Sequence, residues 1–311
     1  MKWFAPDYYP QFVCVADRCK HSCCIGWEID IDPDTLTIYR QMPGEWGERL
    51  RENITIDGEN GSFRLTHDER CPFLNDQGLC ELILHFGEES LCQICTDHPR
   101  FRNFFETRGE IGLGMCCEEA ARIILSKREP VRMILLEDEE DHACECQEEE
   151  CFLHWRKKLF CCAQDRSLPV VKRVEKMART EGLTLDRVEL PQYKAFLLSL
   201  ERMDEQWTQE LERLSINAVI DLADWEIPFE QLLMYLLMRH LAPAFEDGEK
   251  KGRLAFVCFA WLLIRAIFSA QPEQTMERLV ETARLFSSEI EYSDENVGRI
   301  IDELYRCNIA F

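Results

Sequence analysis

From residue 118 onward the apolar positions recur at intervals of three and four, the signature of helices with one buried face. Within 148–165 the stripe is Phe152, Trp155, Leu159 and Cys162, and "SLP" at 167–169 closes it. The segment "EEAARIILSKR" at 118–128 opens with acidic residues and ends with basic ones, the polarity that a helix dipole favours. The same reasoning predicts helices over 170–182, 191–214, 228–243, 250–270, 272–287 and 294–307, with Pro191, Pro228, Pro243 and Pro272 near their ends. The first 117 residues read differently, because their elements are short. "GWEIDID" at 26–32 alternates like a half-buried strand, and a helix is predicted around 34–52. The longest apolar run, 254–270, contains Arg265 and is short for a membrane span, so it predicts a helix buried in protein.

This patterning predicts a mainly α protein. An irregular, cysteine-rich front domain, 1–136, is joined by an acidic linker, 137–150, to a helical domain, 151–311, on which it packs. With 311 residues and 46% hydrophobic composition the chain can bury a large core. The net charge is −22, and the run at 137–150 contributes acidic residues without a single Lys or Arg. Such charge repels a phosphate backbone, so no nucleic acid is expected as a partner, and the apolar run gives no reason to expect a membrane. The N-terminal "MKWFAPDYYPQF" lacks the apolar stretch of a secretory leader, which predicts a cytoplasmic protein with reduced thiols.

That redox setting changes the meaning of the 17 cysteines. They collect as Cys14, Cys19, Cys23 and Cys24, then in "CPFLNDQGLC" (Cys71, Cys80), "CQIC" (Cys92, Cys95) and "MCCEEAAR" (Cys116, Cys117). Thiolates are soft ligands for zinc or iron–sulfur clusters, roughly four to a site. The C-x2-C spacing lets the sulfurs of Cys92 and Cys95 meet one ion from a single turn. Two other readings stand beside metal binding: dithiol redox work, and small side chains that fill a core. Neighbouring side chains diverge, so Cys116 is the one expected to stay idle. Cys161, Cys162, Cys258 and Cys307 sit in apolar helical stretches and are expected in the core, whereas Cys144, Cys146 and Cys151 beside the acidic run are expected at the surface. The C-x3-C-x2-C pattern of radical enzymes is broken at Gly26, and the chain carries no P-loop, no G-x-S-x-G elbow and no G-x-G-x-x-G after a strand.

In order, "YYPQFVCVADRCKHSCCIGWEIDID", "CPFLNDQGLC", "LCQICTDHPRF", "CCEEAARIIL", "QDRSLPVVKR" and "LFSSEIEYSDENVGRIIDEL" resemble the flagellin lysine N-methylase family, whose front part is related to C-x-C-x-x-C-C zinc- or iron-chelating proteins. The resemblance runs from about residue 8 to 308. It implies transfer of methyl groups from S-adenosylmethionine to lysine ε-amines of flagellin. It also implies an iron–sulfur cluster ([4Fe-4S]) or zinc on Cys14, Cys19, Cys23, Cys24, Cys71, Cys80, Cys92, Cys95 and Cys117. The alternative is a non-catalytic zinc- or iron-chelating carrier or assembly factor. Three positions depart from the family's pattern: Cys116 stands where a small residue such as serine is typical, His98 where tyrosine is common, and Tyr292 where a histidine is expected. Tyr8, Tyr9 and Trp27, near the first cysteines, are candidates to embrace a sulfonium by cation–π attraction. No residue is assigned as general base or as binder of S-adenosylmethionine.

Overall fold

The computed structural model describes residues 1–58, 60–138, 146–185, 188–214 and 221–309. Two compact units result: Val13–Arg100, and Met1–Phe12 together with Phe101–Phe311. The division predicted around 137–150 therefore falls at residues 12 and 100 instead. The reason lies in the first strand, β1 (Lys2–Pro6), which pairs with segments between residues 108 and 138 and so ties both ends of that stretch to the helical part. Much of the acidic run, 139–145 with Cys144, lies outside the described residues.

The smaller unit is built of short pieces: β2 (Asp30–Ile31), α1 (Pro33–Gln41), α2 (Gly44–Glu52), β3 (Ile54–Asp57), β4 (Asn60–Phe63), α3 (Glu81–Phe86) and α4 (Gln93–Asp97). Its three strands form an antiparallel sheet in the order β2-β4-β3, with Asp30 opposite Ser62 and Ile54 opposite Phe63. Leu36, Tyr39, Leu50, Phe63, Phe73 and Leu82 fill a small core in which Cys71 and Cys92 are also buried. The single helix predicted over 34–52 is two. Met42 turns to extended backbone, and Pro43, which has no N–H to donate, caps the second helix. The strand predicted over 26–32 shrinks to Asp30–Ile31.

In the larger unit come β5 (Arg100–Phe104), which starts at the last residue of the smaller one, β6 (Arg108–Leu113), α5 (Glu118–Ser126) and β7 (Met133–Asp138). The sheet order is β5-β6-β1-β7, with β1 parallel to β6 and antiparallel to β7. Then follow α6 (Gln147–Ala163), α7 (Val170–Thr180), α8 (Leu190–Leu197), α9 (Glu205–Glu212), α10 (Glu226–Leu241), α11 (Ala244–Asp247), α12 (Lys250–Ser269), α13 (Met276–Phe286), a π-helical turn (Ser287–Glu291) and α14 (Asp294–Arg306). The helices predicted from apolar spacing are present, and the fold is mainly α. The run 191–214 is again two helices, split between Leu197 and Glu205.

Helices α10 and α12 are apolar around almost their whole circumference, which only a fully enclosed position satisfies. They pack on each other, and the indole N–H of Trp261 donates to the Phe229 carbonyl at 2.9 Å, so the buried nitrogen keeps a partner. By length and composition α12 could cross a membrane, but 83% of its most apolar window is buried in protein, as read from the sequence. Tyr8 is buried in this same core, at 2% exposure, and is thereby withdrawn from any sulfonium cage.

The closest backbone approach in the smaller unit gives a test. A Cβ on Gly47 would stand 1.8 Å from the Met42 carbonyl oxygen. Helix propensity alone makes Gly→Ala worth about 1 kcal/mol of added stability. Here Gly47→Ala is expected to destabilise by about 1–3 kcal/mol in chemical denaturation, since the clash is with backbone and neither side can rotate away. A gain in stability would show that α1 and α2 are not packed as described.

Candidate functional site

The cysteine-rich site is assembled from loops, each pinned by backbone bonds. Cys71 N–H donates to the Cys24 carbonyl at 2.8 Å, Ile25 and Arg70 form a β-bridge, and Leu74 and Cys80 form another. Between Cys71 and Cys80 the side-chain oxygen of Asn75 accepts from the N–H groups of Gln77 (3.0 Å) and Leu79 (2.9 Å). Gly78 takes a φ of +74°, so the loop closes tightly on itself. Cys92 caps α4, with Cys95 in its first turn. One carboxylate sets the position of that helix: Asp32 caps α1 by accepting from Thr35 N–H at 2.9 Å and, through its other oxygen, takes Gln93 N–H at 2.8 Å. Burial opposes ionisation of Asp32, but these donors outweigh it and hold the carboxyl below its ordinary range.

The thiols of this unit feel one another. Cys24 is brought down to about 7, chiefly by a hydrogen bond with Cys23, and Cys71 is pushed up to about 12 by burial, with Cys24, Cys80 and Cys92 adding like charge. Cys92 is lowered by its hydrogen bond with Cys95, whose own thiol is raised. Five sulfurs so arranged cannot all ionise unless a cation offsets their repulsion. Their chemistry fits a soft metal. So does one distance: Cys92 Sγ and Cys95 Sγ stand 3.6 Å apart, and two thiolates on one tetrahedral zinc stand about 3.8 Å apart. Among the described residues, however, no three Cys, His, Asp or Glu side chains are placed around a common point. Of the other implied ligands, Cys14 and Cys23 are exposed, Cys19 is half-buried, and Cys117 belongs to the other unit, at the start of α5. Burial lowers His98 to about 4, so its imidazole is neutral.

A second polar cluster, in the larger unit, has no precursor in local sequence pattern. Glu291, the last residue of the π-helical turn, is buried; its carboxylate meets His240 Nε2 at 2.5 Å and accepts from the Tyr235 hydroxyl at 2.6 Å. Tyr235 in turn accepts the Met115 N–H at 3.1 Å. The Arg239 guanidinium lies beside Glu291, between the rings of Phe101 and Tyr292 at 5.0 and 4.7 Å. Burial alone would raise the Glu291 carboxyl, but Arg239 and the His240 hydrogen bond bring it down to about 2, while burial keeps His240 neutral. The chain of contacts ends at the turn that presents Cys116 and Cys117. Cys116 is buried, pushed up to about 12 by that burial, and hydrogen-bonded to Tyr292. Blocks "CCEEAARIIL" and "LFSSEIEYSDENVGRIIDEL" thus meet in space. The only sequence signal for the cluster was that both belong to the resemblance. Cys258 is core, as expected, but Cys161 is exposed, and Cys162 and Cys307 are half-buried.

Surface grooves among the described residues of the larger unit include one of about 690 Å³ and one of about 390 Å³. The first is rimmed by Lys157, Lys158 and Lys176 together with Asp165 and Glu181, the second by Arg122, Lys127 and Arg128 together with Glu129.

No family model matches the chain, and no solved structure does. Curated relatives do. The "Flagellar biosynthetic protein FliU" of Salmonella muenchen is 26% identical over 127 residues, 39% of this chain and 75% of that protein. The "Lysine-N-methylase" of Salmonella typhimurium is 25% identical over 138 residues, 42% of this chain, and the protein of the same name from Salmonella choleraesuis matches equally. The matched stretch spans 34% of the length of each methylase. These distant homologues support the resemblance to the flagellin lysine N-methylase family.

The Glu291 cluster predicts an acid-sensitive fold. Glu291 is depressed when folded, so its contribution is full above its ordinary value near 4.5 and is lost as pH falls towards about 2. His240, kept neutral by burial, acts in the same direction from its ordinary 6.5 downward. Replacing Glu291 by Gln strands Arg239 and is expected to cost about 3–5 kcal/mol at pH 7. The gap from wild type in thermal or urea unfolding should narrow below pH 4.5. A gap that stays constant to pH 2.5 would mean the carboxylate is not the charged partner of Arg239.

Proposed function

We propose that this chain is a protein-lysine N-methyltransferase of the flagellin lysine N-methylase kind, acting in the cytoplasm on lysine ε-amines of flagellin. The homology to the two lysine-N-methylases carries the reading. The reading goes beyond what that match covers, since the stretch represents 34% of either relative.

S-adenosylmethionine, when bound, supplies an electrophilic methyl group. The acceptor amine must be neutral to attack it, so a lysine with a pKa of about 10.4 first gives up its proton, either to a base or through burial of the ammonium. Glu291 is not that base. Its oxygens are already committed to His240, Tyr235 and Arg239, and its carboxyl is too acidic to hold a proton at neutral pH. What Glu291 does is orient: through Tyr235 it holds the Met115 N–H, and with it the turn leading into Cys117.

A bound zinc ion or iron–sulfur cluster would neutralise the crowded thiolates of the smaller unit. Cys92 and Cys95 would hold it first, with Asp32 fixing the helix that carries them; Cys14, Cys19, Cys23, Cys24, Cys71, Cys80 and Cys117 are the further ligands implied by resemblance. The ligand-like separation of Cys92 and Cys95 also favours a second reading, a zinc- or iron-chelating carrier without methyl transfer.

The two readings part in one experiment. Anaerobically purified protein, incubated with methyl-labelled S-adenosylmethionine and flagellin, is expected to yield labelled methyl-lysine by mass spectrometry. Absence of label from metal-loaded protein would leave only the chelator. Separately, Cys92→Ser or Cys95→Ser is expected to remove about half or more of the bound metal measured by elemental analysis, while Cys116→Ser leaves it unchanged. Full metal content in Cys92→Ser would take this pair out of the site.

A further inference from the structure

We propose that the outer edge of β7 is a self-association surface, on which a second copy of this chain adds its own β7 antiparallel about a two-fold axis. β7 ends the four-stranded sheet, so one of its edges faces β1 and, among the described residues, no strand pairs with the other. Which groups that edge offers follows from the inner one. The Arg132 carbonyl accepts from Asp7 N–H at 2.8 Å, and Met133 stands opposite Pro6, which has no N–H to give. Main-chain groups alternate along an antiparallel pair, so Met133 and Leu135 turn their N–H and C=O groups outward. Beyond Leu135 a bulge at Leu136 breaks the alternation. Leu135 and Leu136 are also exposed, at 49% and 37%, whereas the other described leucines of this unit are buried or half-buried.

Charge decides what can lie there and in which direction. Before the strand come Lys127, Arg128 and Arg132, with Glu129 as the single acid; after its apolar middle come Glu137 and Asp138, and the sequence stays acidic through Asp141. Lys127 is bound to Asp7 at 2.9 Å and Asp138 to Lys2 at 3.6 Å, whereas the Arg128 and Arg132 guanidinium groups form no ion pair among the described residues. A strand that is basic at one end and acidic at the other is complementary to itself only when reversed. Parallel stacking sets Arg132 on Arg132 and Asp138 on Asp138. Antiparallel pairing with Leu135 opposite its own copy brings Arg132 of each chain beside Asp138 of the other. The charges that guard an edge strand here sit at its ends, and none lies within 133–136, so they forbid the parallel arrangement and permit the reversed one. Such a contact presents the same surface from both sides and closes at two copies. With a net charge of −22 each, two copies repel at a distance, so the dimer is expected only at high concentration. No residue of the cysteine cluster or of the Glu291 network takes part, so the inference stands apart from the methyl-transfer reading.

Sedimentation of the full chain under reducing conditions, which exclude disulfide-linked dimers, is expected to show a monomer that converts to a dimer as concentration rises. Arg132→Glu and Asp138→Lys each place like charges at both ends of the pair and should weaken association about tenfold or more. Mixed in equal amounts, the two variants set the introduced glutamate against the introduced lysine and keep a native pair at the other end, so the mixture should associate as wild type does. Leu135→Pro removes an outward N–H and leaves the bonds to β1 in place. It is expected to abolish association with circular dichroism and melting unchanged. A wild type that remains monomeric at every concentration overturns the proposal, and so does growth beyond a dimer, which a closed two-fold contact forbids. The proposal also falls if neither charge variant weakens association, if both do and their mixture stays monomeric, or if a folded Leu135→Pro chain still dimerises. Should Leu135→Pro unfold, the charge variants and their mixture decide alone.

Discussion

The larger unit depends on a double pairing. Lys2–Pro6 hydrogen-bonds in parallel to one strand and antiparallel to another, so residues near 2, 108 and 138 are fixed side by side. Without β1, β6 and β7 have no common neighbour, and α5, which lies between them in sequence, loses the frame that sets where it begins. That starting point is Cys117. Long closures of this kind cost entropy that grows only slowly with length, which a strand bonded on both edges offsets readily. A segment of five residues therefore decides which part of the chain belongs to which unit.

Around this frame the two units handle buried charge in opposite ways. In the larger one, carboxylates taken out of water are paired: Glu110 with Arg108 and Arg156, Glu230 with Arg166 and Arg173, Glu291 with Arg239. Such pairs add little net stability, yet removing one partner is expensive, so they restrict which arrangements of the helices are tolerated. The smaller unit gathers thiols that repel one another's ionisation, with Cys71, Cys80 and Cys95 each raised by burial and by neighbouring thiols. One unit sets these carboxylates against guanidinium groups, and the other crowds thiols together.

Much of this was readable in advance, for a physical reason. Helices announce themselves through local periodicity, and α5, α6, α7, α10, α12, α13 and α14 fall where that periodicity places them. The four-stranded sheet was not readable, because "KWFAP" has no alternation of its own and becomes a strand only through partners a hundred residues away. The break at Pro43 is marked in the sequence by the proline alone, within a stretch otherwise helical in pattern. At the site, spacing marked Cys92 and Cys95 as a pair, and their sulfurs do lie together. Glu291 was hidden, since Tyr235 and His240 lie more than fifty positions before it and an acidic residue before "YSDE" looks like one more solvated charge. Tyr8 misled, because an aromatic near cysteines gives no sign of facing a helical core.

The π-helical turn at Ser287–Glu291 accounts for one more property. In an ordinary helix, residues two apart point about 200° away from each other, so Glu289 and Glu291 could not both turn inward. The wider turn lets them do so: Glu289 receives the N–H groups of Met203 and Asp204 ahead of α9, and Glu291 receives Tyr235. Here the count of residues matters as well as their identity. Losing one would restore regular winding, swing one carboxylate to the wrong side and rotate everything downstream by about 100°. An insertion or deletion within Ser287–Glu291 would therefore undo both carboxylate contacts at once, even with every side chain kept.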